Sequence, residues 1–431
     1  MFNIRWNALS LQTNKTINIT MKPIRLIPPE TIHTTIQLPS SKSICNRALV
    51  INALSEKRAR LDNLSDCDDT RVMIRALQEM PDTIDIGAAG TAMRFLTAYL
   101  SVCEGTHSLT GTQRMQQRPI GILVDALRAL GAEIVYSRNE GYPPLCITGH
   151  RLSQAEVALP GNVSSQYISA LLMIGPALQN GLRLTLTGDI ISRPYIDLTL
   201  QLMRAFGAQA GWKGENQLCV EPLPYQAPDA YYVESDWSAA SYWYEICALM
   251  PHAEIELPGL FRQSPQGDAQ VASLFASLGV ETRYEDNRVI LSKSGIKTSR
   301  LEYDFINQPD LAQTFVVTCA LLDIPFCFSG LQSLKIKETD RMAALITEMR
   351  KLGYVLEEKD GSVLMWNGER CTPDAFPCID TYEDHRMAMA FAPACIRLEN
   401  VQINNPQVVS KSYPHYWEDL SRAGFSILEE C

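Results

Sequence analysis

Residues 123–136 read LVDALRALGAEIVY, an apolar helical stretch that runs into Leu-Gly and then into an extended apolar run. Leu123, Leu127 and Leu130 share one helical face, and Gly131 sits where the residue after a helix needs a positive φ. The same phrase returns as LTLQLMRAFGAQAGW at 198–212, QVASLFASLGVETRY at 270–284 and AALITEMRKLGYVLEE at 343–358. A frayed copy, YWEDLSRAGFSIL, closes the chain at 416–428, and TRVMIRALQEM at 70–80 resembles a sixth copy without its glycine. The five glycines (131, 207, 279, 353 and 424) are spaced 71 to 76 residues apart. A period of this size marks a repeated unit.

Working outward, each unit carries a second helix that opens on small or polar residues. These are GTAMRFLTAYL at 90–100, SSQYISALLMIGPAL at 164–178, SAASYWYEICALM at 238–250, LAQTFVVTCALL at 311–322 and HRMAMAFAPACI at 385–396. Short β-like runs lie between helices, as in LRLTLTG at 182–188, AEIELPG at 253–259 and IPFCFSG at 324–330. Six units of about 70 residues, each with two helices and several strands, nearly exhaust a chain of 431. The units alternate helix with strand and are too large for a solenoid, so the fold class is α/β. No G-x-G-x-x-G or Walker A pattern indicates a Rossmann or P-loop nucleotide site.

Composition narrows the function classes. Apolar residues are 46% of the chain, ordinary for a globular protein. The longest apolar candidate, Thr314 to Phe328, is interrupted by Asp323, too short for a membrane span. The N-terminal 22 residues lack the apolar core and cleavage site of a secretory signal, and Met21 is an alternative start. Twelve cysteines form no C-x-x-C pair and read as reduced core residues of a cytoplasmic protein. Six histidines show neither H-E-x-x-H nor a Cys/His ligand spacing, so no metal is expected. With 38 basic against 48 acidic residues the net charge is −10, which argues against nucleic acid unless the cations cluster.

They do cluster, in islands beside glycine, serine or a helix start. The islands are Leu38–Arg47, Gly87–Arg94, Arg114–Ile120, Lys335–Arg341, Asp384–Arg386 and Ser410–Pro414. In the first, Ser40 or Ser41 is a candidate N-cap, and Ser43 and Arg47 then share a face. In the third, Pro119 is expected to start the helix that ends at Gly131. In the fourth, Lys337 and Arg341 fall one turn apart, with Glu338 beside Arg341. Alone, each island reads as solvated surface or a tight turn. Recurring in successive repeats at helix starts, where free N–H groups and the macrodipole favour anions, they suit a small polyanionic ligand.

Eight segments, in this order, resemble the enolpyruvyl transferase family: LPSSKSICNRAL, AGTAMRFLTA, RMQQRPIG, SSQYISALL, SRPYIDLT, KIKETDRM, DHRMAMAF and SKSYPHYW. The likeness runs from about Leu38 to Trp417. It implies a two-domain inside-out α/β barrel, each domain of three βαβαββ units, with the ligand cleft between domains. Residues 1–37 plus 236–431 would form one domain and 38–235 the other. The implied reaction moves the enolpyruvyl group of phosphoenolpyruvate to the 5-hydroxyl of shikimate 3-phosphate and releases phosphate. Family motifs place Lys42, Ser43, Arg47, Ser164, Ser165, Gln166, Ser192, Tyr195, Asp310 and Lys337 on shikimate 3-phosphate. They place Lys42, Gly90, Arg118, Gln166, Arg341, Arg386 and Lys411 on phosphoenolpyruvate. Asp310 matches the base and Glu338 the proton donor, with Lys42 also catalytic.

Glu338 carries a physical tension, since Lys337 and Arg341 should lower its pKa while a general acid works best with a raised one. Two bound polyanions would relieve it. Asp310 is also expected to cap the helix that begins near Leu311. Ala88, Phe95 and Ser333 stand where the family often has asparagine, proline and asparagine, and Phe95 is expected to shape the enolpyruvate side. The family implies a monomer without cofactor. The sister enzymes acting on a UDP-N-acetyl sugar usually have Ala-Lys-Asn at the first island and a cysteine in the loop before Arg-Pro. Here Ser41-Lys42-Ser43 and a cysteine-free Gly111–Arg118 favour the shikimate ester. A non-catalytic phosphometabolite scaffold would not require Asp310 and Glu338 among the cations.

Overall fold

The structure is a computed structural model that describes residues 22–430. The readings made on residues 1–20 and the start at Met21 therefore lie outside the described residues. Among the latter there are six sheets, each served by two helices. The first unit holds α1 (Lys42–Leu54), strand Arg60–Asp62 and α2 (Asp68–Glu79). The second has strand Thr83–Asp85, α3 (Gly90–Val102), strand Gly105–Thr110, α4 (Gly121–Ala129) and the antiparallel pair Glu133–Tyr136 and Leu145–Gly149. The third repeats this plan with α5 (Ser165–Ile174) and α6 (Arg193–Ala205), and the fifth with α9 (Ala312–Leu321) and α10 (Arg341–Lys351). Between them, the fourth unit carries α7 (Trp237–Leu249) and α8 (Val271–Phe275), and the sixth carries α11 (His385–Phe391) and α12 (Tyr416–Arg422).

Within the second, third and fifth units the strand order is first, second, fourth, third, the first two parallel and the rest antiparallel. Three units borrow a strand from elsewhere in the chain. Strand Ile32–Thr35 opens the fourth unit, pairing in parallel with Ala253–Pro258. Strand Ile24–Ile27 completes the sixth, between Gln402–Ile403 and Ser426–Glu429. Strand Ala230–Tyr232 pairs in parallel with Arg60–Asp62 of the first. Two separate apolar cores follow. One gathers residues between Ile44 and Val233, the other Ile24–Leu38 together with Trp237–Phe425.

The chain crosses between these cores twice, side by side. Ser40 and Ser235 form an antiparallel bridge, Ser41 N–H donates to Glu234 O at 2.9 Å, and Asp236 N–H donates to Pro39 O at 2.9 Å. Asp236 then uses its carboxylate on both sides: it caps α7 through Ser238 and Ala239 N–H, at 2.8 and 3.1 Å, and accepts from Lys42 N–H at 3.2 Å. The capping expected of Ser41 is therefore not made, since its buried hydroxyl has no partner among the described residues.

Helices form the inside of each half and sheets the outside. Helices α5, α9 and α11 are apolar around almost their whole circumference and are buried at every position but Gln166 of α5, as a helix without a solvent face must be. Strand Leu182–Thr187 instead alternates buried and exposed positions, so one face of its sheet meets water. Gly131, Gly207, Gly279, Gly353 and Gly424 all have positive φ after their helices. In the sixth copy Met80 occupies that position at φ 42°. The helix expected to begin at Pro119 begins two residues later, because Ile120 is still non-helical and serves as its N-cap. Among the described residues no helix is long and apolar enough to cross a membrane.

Candidate active site

Between the two cores lies a cavity of about 210 Å³, and helix starts from both halves face it. From one half come Lys42, Ser43 and Arg47 of α1, Gly90 and Thr91 of α3, and Arg118 ahead of α4. Ser164, Ser165 and Gln166 at α5 and Ser192 and Tyr195 at α6 complete that wall. The opposite wall carries Asp310 before α9, Lys337, Glu338 and Arg341 at α10, and His385 and Arg386 at α11. Every residue assigned from the sequence thus lines one cavity, except Lys411, whose ammonium donates to Glu383 O at 2.7 Å while its neighbour Ser412 reaches the lining.

Arg341 organises the acidic side. It is buried and donates from Nε to Asp384 Oδ2 at 2.6 Å, from Nη1 to Asp310 Oδ1 at 3.1 Å and from Nη2 to Glu338 Oε2 at 3.0 Å. Three carboxylates hold its pKa above the ordinary value despite burial. Asp310 also meets Arg386 Nη2 at 3.1 Å and Lys337 Nζ at 3.6 Å, and it accepts from Tyr195 OH at 3.2 Å. Burial alone would raise the Asp310 pKa, but Arg386, Lys337 and Arg341 hold it well below the usual carboxylate range. Glu338 follows the same balance: burial pushes it up, and Arg341 and Arg118 pull it well down. Both groups are carboxylates at neutral pH.

Two expectations about these segments are corrected by the backbone. Asp310 does not cap α9, because Leu311 holds the N-cap position and the Asp310 side chain is consumed by Arg341 and Arg386 on the same wall. Lys337 and Glu338 do not lie on α10 either. They precede it, Asp340 caps it through Ala343 N–H at 3.1 Å, and Arg341 is its first residue.

On the other wall, Arg47 is buried and spends its donors on Thr199 Oγ1 at 2.7 Å, Ser43 O at 2.9 Å and Ser169 Oγ at 3.1 Å. Burial lowers its pKa to about 10. Its guanidinium lies 5.3 Å from the ring centroid of Phe95, which is fully buried. Phe95 therefore backs Arg47 and does not line the cavity. Lys42 Nζ sits 3.5 Å from Asp69 Oδ2; burial works against its charge, yet Asp69 and neighbouring acids keep its pKa raised. Gln166 Nε2 donates to Thr91 Oγ1 at 3.2 Å, tying α5 to α3. Gly90 has a plain steric reason. A Cβ there would stand 2.7 Å from Arg118 Nη1, so only glycine lets that guanidinium lie across the start of α3.

Several lining residues carried no assignment from the sequence: Asp69, Arg94, Tyr242 and His385. Arg94 lies one turn into α3 with Nη1 donating to Gly90 O at 3.0 Å, and its place in the second island was the available signal. Both ring nitrogens of His385 are buried without a hydrogen-bond partner among the described residues, with Asp384 Oδ1 3.8 Å from Nδ1, and burial with Lys42 and Arg386 nearby keeps the ring neutral. Asp384, fully buried, orients Arg341 from outside the cavity and caps α11 through Arg386 N–H at 2.9 Å.

The family model of EPSP synthase (3-phosphoshikimate 1-carboxyvinyltransferase) matches residues 26–85 and 80–420. The 3-phosphoshikimate 1-carboxyvinyltransferase of Bacteroides fragilis strain YCH46 is 64% identical over 402 residues, covering 93% of this chain and 98% of that protein. The enzyme of the same name from Vibrio campbellii is 36% identical, covering 94% and 98%. An EPSP synthase structure from Acinetobacter baumannii has the same fold, with a TM-score of 0.74 at 20% identity over 95% of this chain and 100% of that one.

Proposed function

Since the chain belongs to the EPSP synthase (3-phosphoshikimate 1-carboxyvinyltransferase) family, we propose that the cavity residues divide the labour of that reaction as follows. The protein transfers the enolpyruvyl group of phosphoenolpyruvate to the 5-hydroxyl of shikimate 3-phosphate and releases phosphate, in the shikimate pathway toward chorismate and the aromatic amino acids. In the addition, the 5-oxygen bonds to C2 of the enol while its proton passes to Asp310 and C3 receives a proton from Glu338. In the elimination, the C2–phosphate bond breaks and the methyl carbon returns a proton, restoring the methylene.

The observation that carries this reading is the pair of carboxylates on one guanidinium, Asp310 at 3.1 Å and Glu338 at 3.0 Å from Arg341. Asp310, held ionised by its cations, is free to accept the hydroxyl proton, though the same cations make it a weak base until bound anions offset them. With Arg341 and Arg118 beside it, Glu338 by itself is too acidic to donate. Two polyanions entering beside Arg341, Arg118 and Lys337 offset those cations, which returns the Glu338 pKa toward a range where it donates. Ser43, Arg47, Ser164, Ser165, Gln166, Ser192, Tyr195 and Lys337 hold shikimate 3-phosphate, and Lys42, Gly90, Arg118, Gln166, Arg341, Arg386 and Lys411 hold phosphoenolpyruvate. The two cores support a division into domains at 1–37 plus 236–431 and 38–235, closing on the ligands as a cytoplasmic monomer.

Phosphate release from phosphoenolpyruvate tests this directly. Release is expected with shikimate 3-phosphate and not with UDP-N-acetylglucosamine. Release that ignores the shikimate ester would overturn it.

A further inference from the structure

We propose that His415 and Asp66 form a clasp across the mouth of the cleft that positions the 410–412 segment, and with it Lys411, for phosphoenolpyruvate. Asp66 belongs to the turn between strand Arg60–Asp62 and α2, on the half built around residues 44–233. His415 stands at the head of α12, on the other half. His415 Nε2 lies 2.8 Å from Asp66 Oδ2, and Nδ1 lies 3.0 Å from Glu418 Oε2. A neutral imidazole has one N–H, so two hydrogen bonds to two carboxylates require the imidazolium. The link is therefore charged on both sides and protonation-dependent.

A second contact crosses at the same place, from Ser410 Oγ to Asp68 Oδ2 at 2.5 Å. Between these two fastenings, at 410 and 415, the chain carries Lys411 and the cavity-lining Ser412. Other charges face the clasp from each element around it. Arg71 of α2 approaches Asp66 at 3.9 Å, and Asp419 of α12 is engaged by Arg422 at 2.7 Å and by Tyr413 OH at 2.7 Å. The hydrogen bond to Asp66, reinforced by Glu418, raises the His415 pKa to about 9.

The sign follows. A histidine raised from its ordinary 6.5 to about 9 in the clasped form favours that form fully below pH 6.5, and loses this effect as pH rises through about 9. His415 and Asp66 are both about half exposed, so solvent discounts the pair. The expected change in KM is accordingly modest, about two- to five-fold.

The inference rests on Lys411 holding phosphoenolpyruvate, and the test separates the two. Steady-state kinetics of the full chain are measured from pH 6.5 to 9.5. His415→Ala should raise KM for phosphoenolpyruvate about two- to five-fold at pH 6.5, with kcat little changed, and converge on the parent near pH 9.5. His415→Arg, charged throughout, should keep the low KM across the range. Asp66→Asn should reproduce His415→Ala, with the double variant no worse. A KM ratio constant with pH, or an Asp66→Asn enzyme like the parent, overturns the clasp. Lys411→Ala reports on the premise. If it leaves KM unchanged, the clasp is judged by small-angle scattering: the parent should expand between pH 7 and 9.5 and His415→Arg should not, and equal behaviour overturns it.

Discussion

Asp310 is the residue on which most of the cavity converges, with Arg341, Arg386, Lys337 and Tyr195 all within 3.6 Å. With Asp310 in its proposed role as the base, an Asp310→Asn enzyme keeps the shape but loses the oxygen that takes up the hydroxyl proton. We expect kcat to fall about 10²- to 10⁴-fold with substrate binding retained, by calorimetry or fluorescence titration. Loss of binding together with turnover would instead assign Asp310 to holding the cations in place. Glu338→Gln keeps one bond to Arg341 and removes the transferable proton, so turnover should fall on the same scale, about 10²-fold or more. Near-normal turnover in that variant would end its role as the acid. Neither role follows from residue type alone. Asp310 was expected to cap a helix as well, and does not, because three cations outbid the backbone for its oxygens.

At the scale of elements, the glycine after each repeated helix sets the turn that returns the chain to its sheet. The sequence marks all five, yet their surroundings differ. Gly131, at φ 104°, has open space where a Cβ would go, whereas Gly207, at φ 82°, would place a Cβ 2.7 Å from Gln226 Cβ. Gly131→Ala should therefore cost only the backbone strain, about 1–2 kcal/mol, and Gly207→Ala more. Urea unfolding of the two variants measures the difference, and equal losses would mean the clash is relieved by movement of Gln226. Met80 holds the same left-handed position in the sixth copy, where its side chain packs against the core. That is why the copy without glycine still ends its helix in register.

Over the whole molecule, the paired crossovers are the place where the two halves are one chain. Glu234 sits there, buried, accepting from Ser264 Oγ and from Gln266 Nε2 at 2.5 Å. Burial raises its pKa from 4.5 to about 7. A carboxyl raised in the folded state contributes stability present below pH 4.5 and lost as pH rises through about 7. Glu234→Gln should therefore gain stability relative to the parent on going from pH 5 to pH 8, by about 1–3 kcal/mol. Urea midpoints at the two pH values check this, and a difference independent of pH would show that Glu234 is not titrating in this range. The acidic total of −10 takes on another meaning at this scale. Seven basic residues line the one cavity against four acidic ones, while acidic residues predominate over the rest of the chain.

How much was legible in advance follows from the range of the interactions concerned. Helix-ending glycines, helix faces and the six-unit period depend on neighbours within a few residues, so the sequence by itself determined the units, the α/β class and the cationic islands. The eight motifs then determined the chemistry. Only the tertiary structure decided which islands share a cavity, that Ser41 leaves the capping of α1 to Asp236, and that Phe95 backs Arg47. The same is true of the unit that strand Ala230–Tyr232 joins and of the pairing of His415 with Asp66. The physical reason is common to all of these. Each joins groups between about 50 and 350 positions apart, and at that separation the partner is set by how the units pack and not by any local preference.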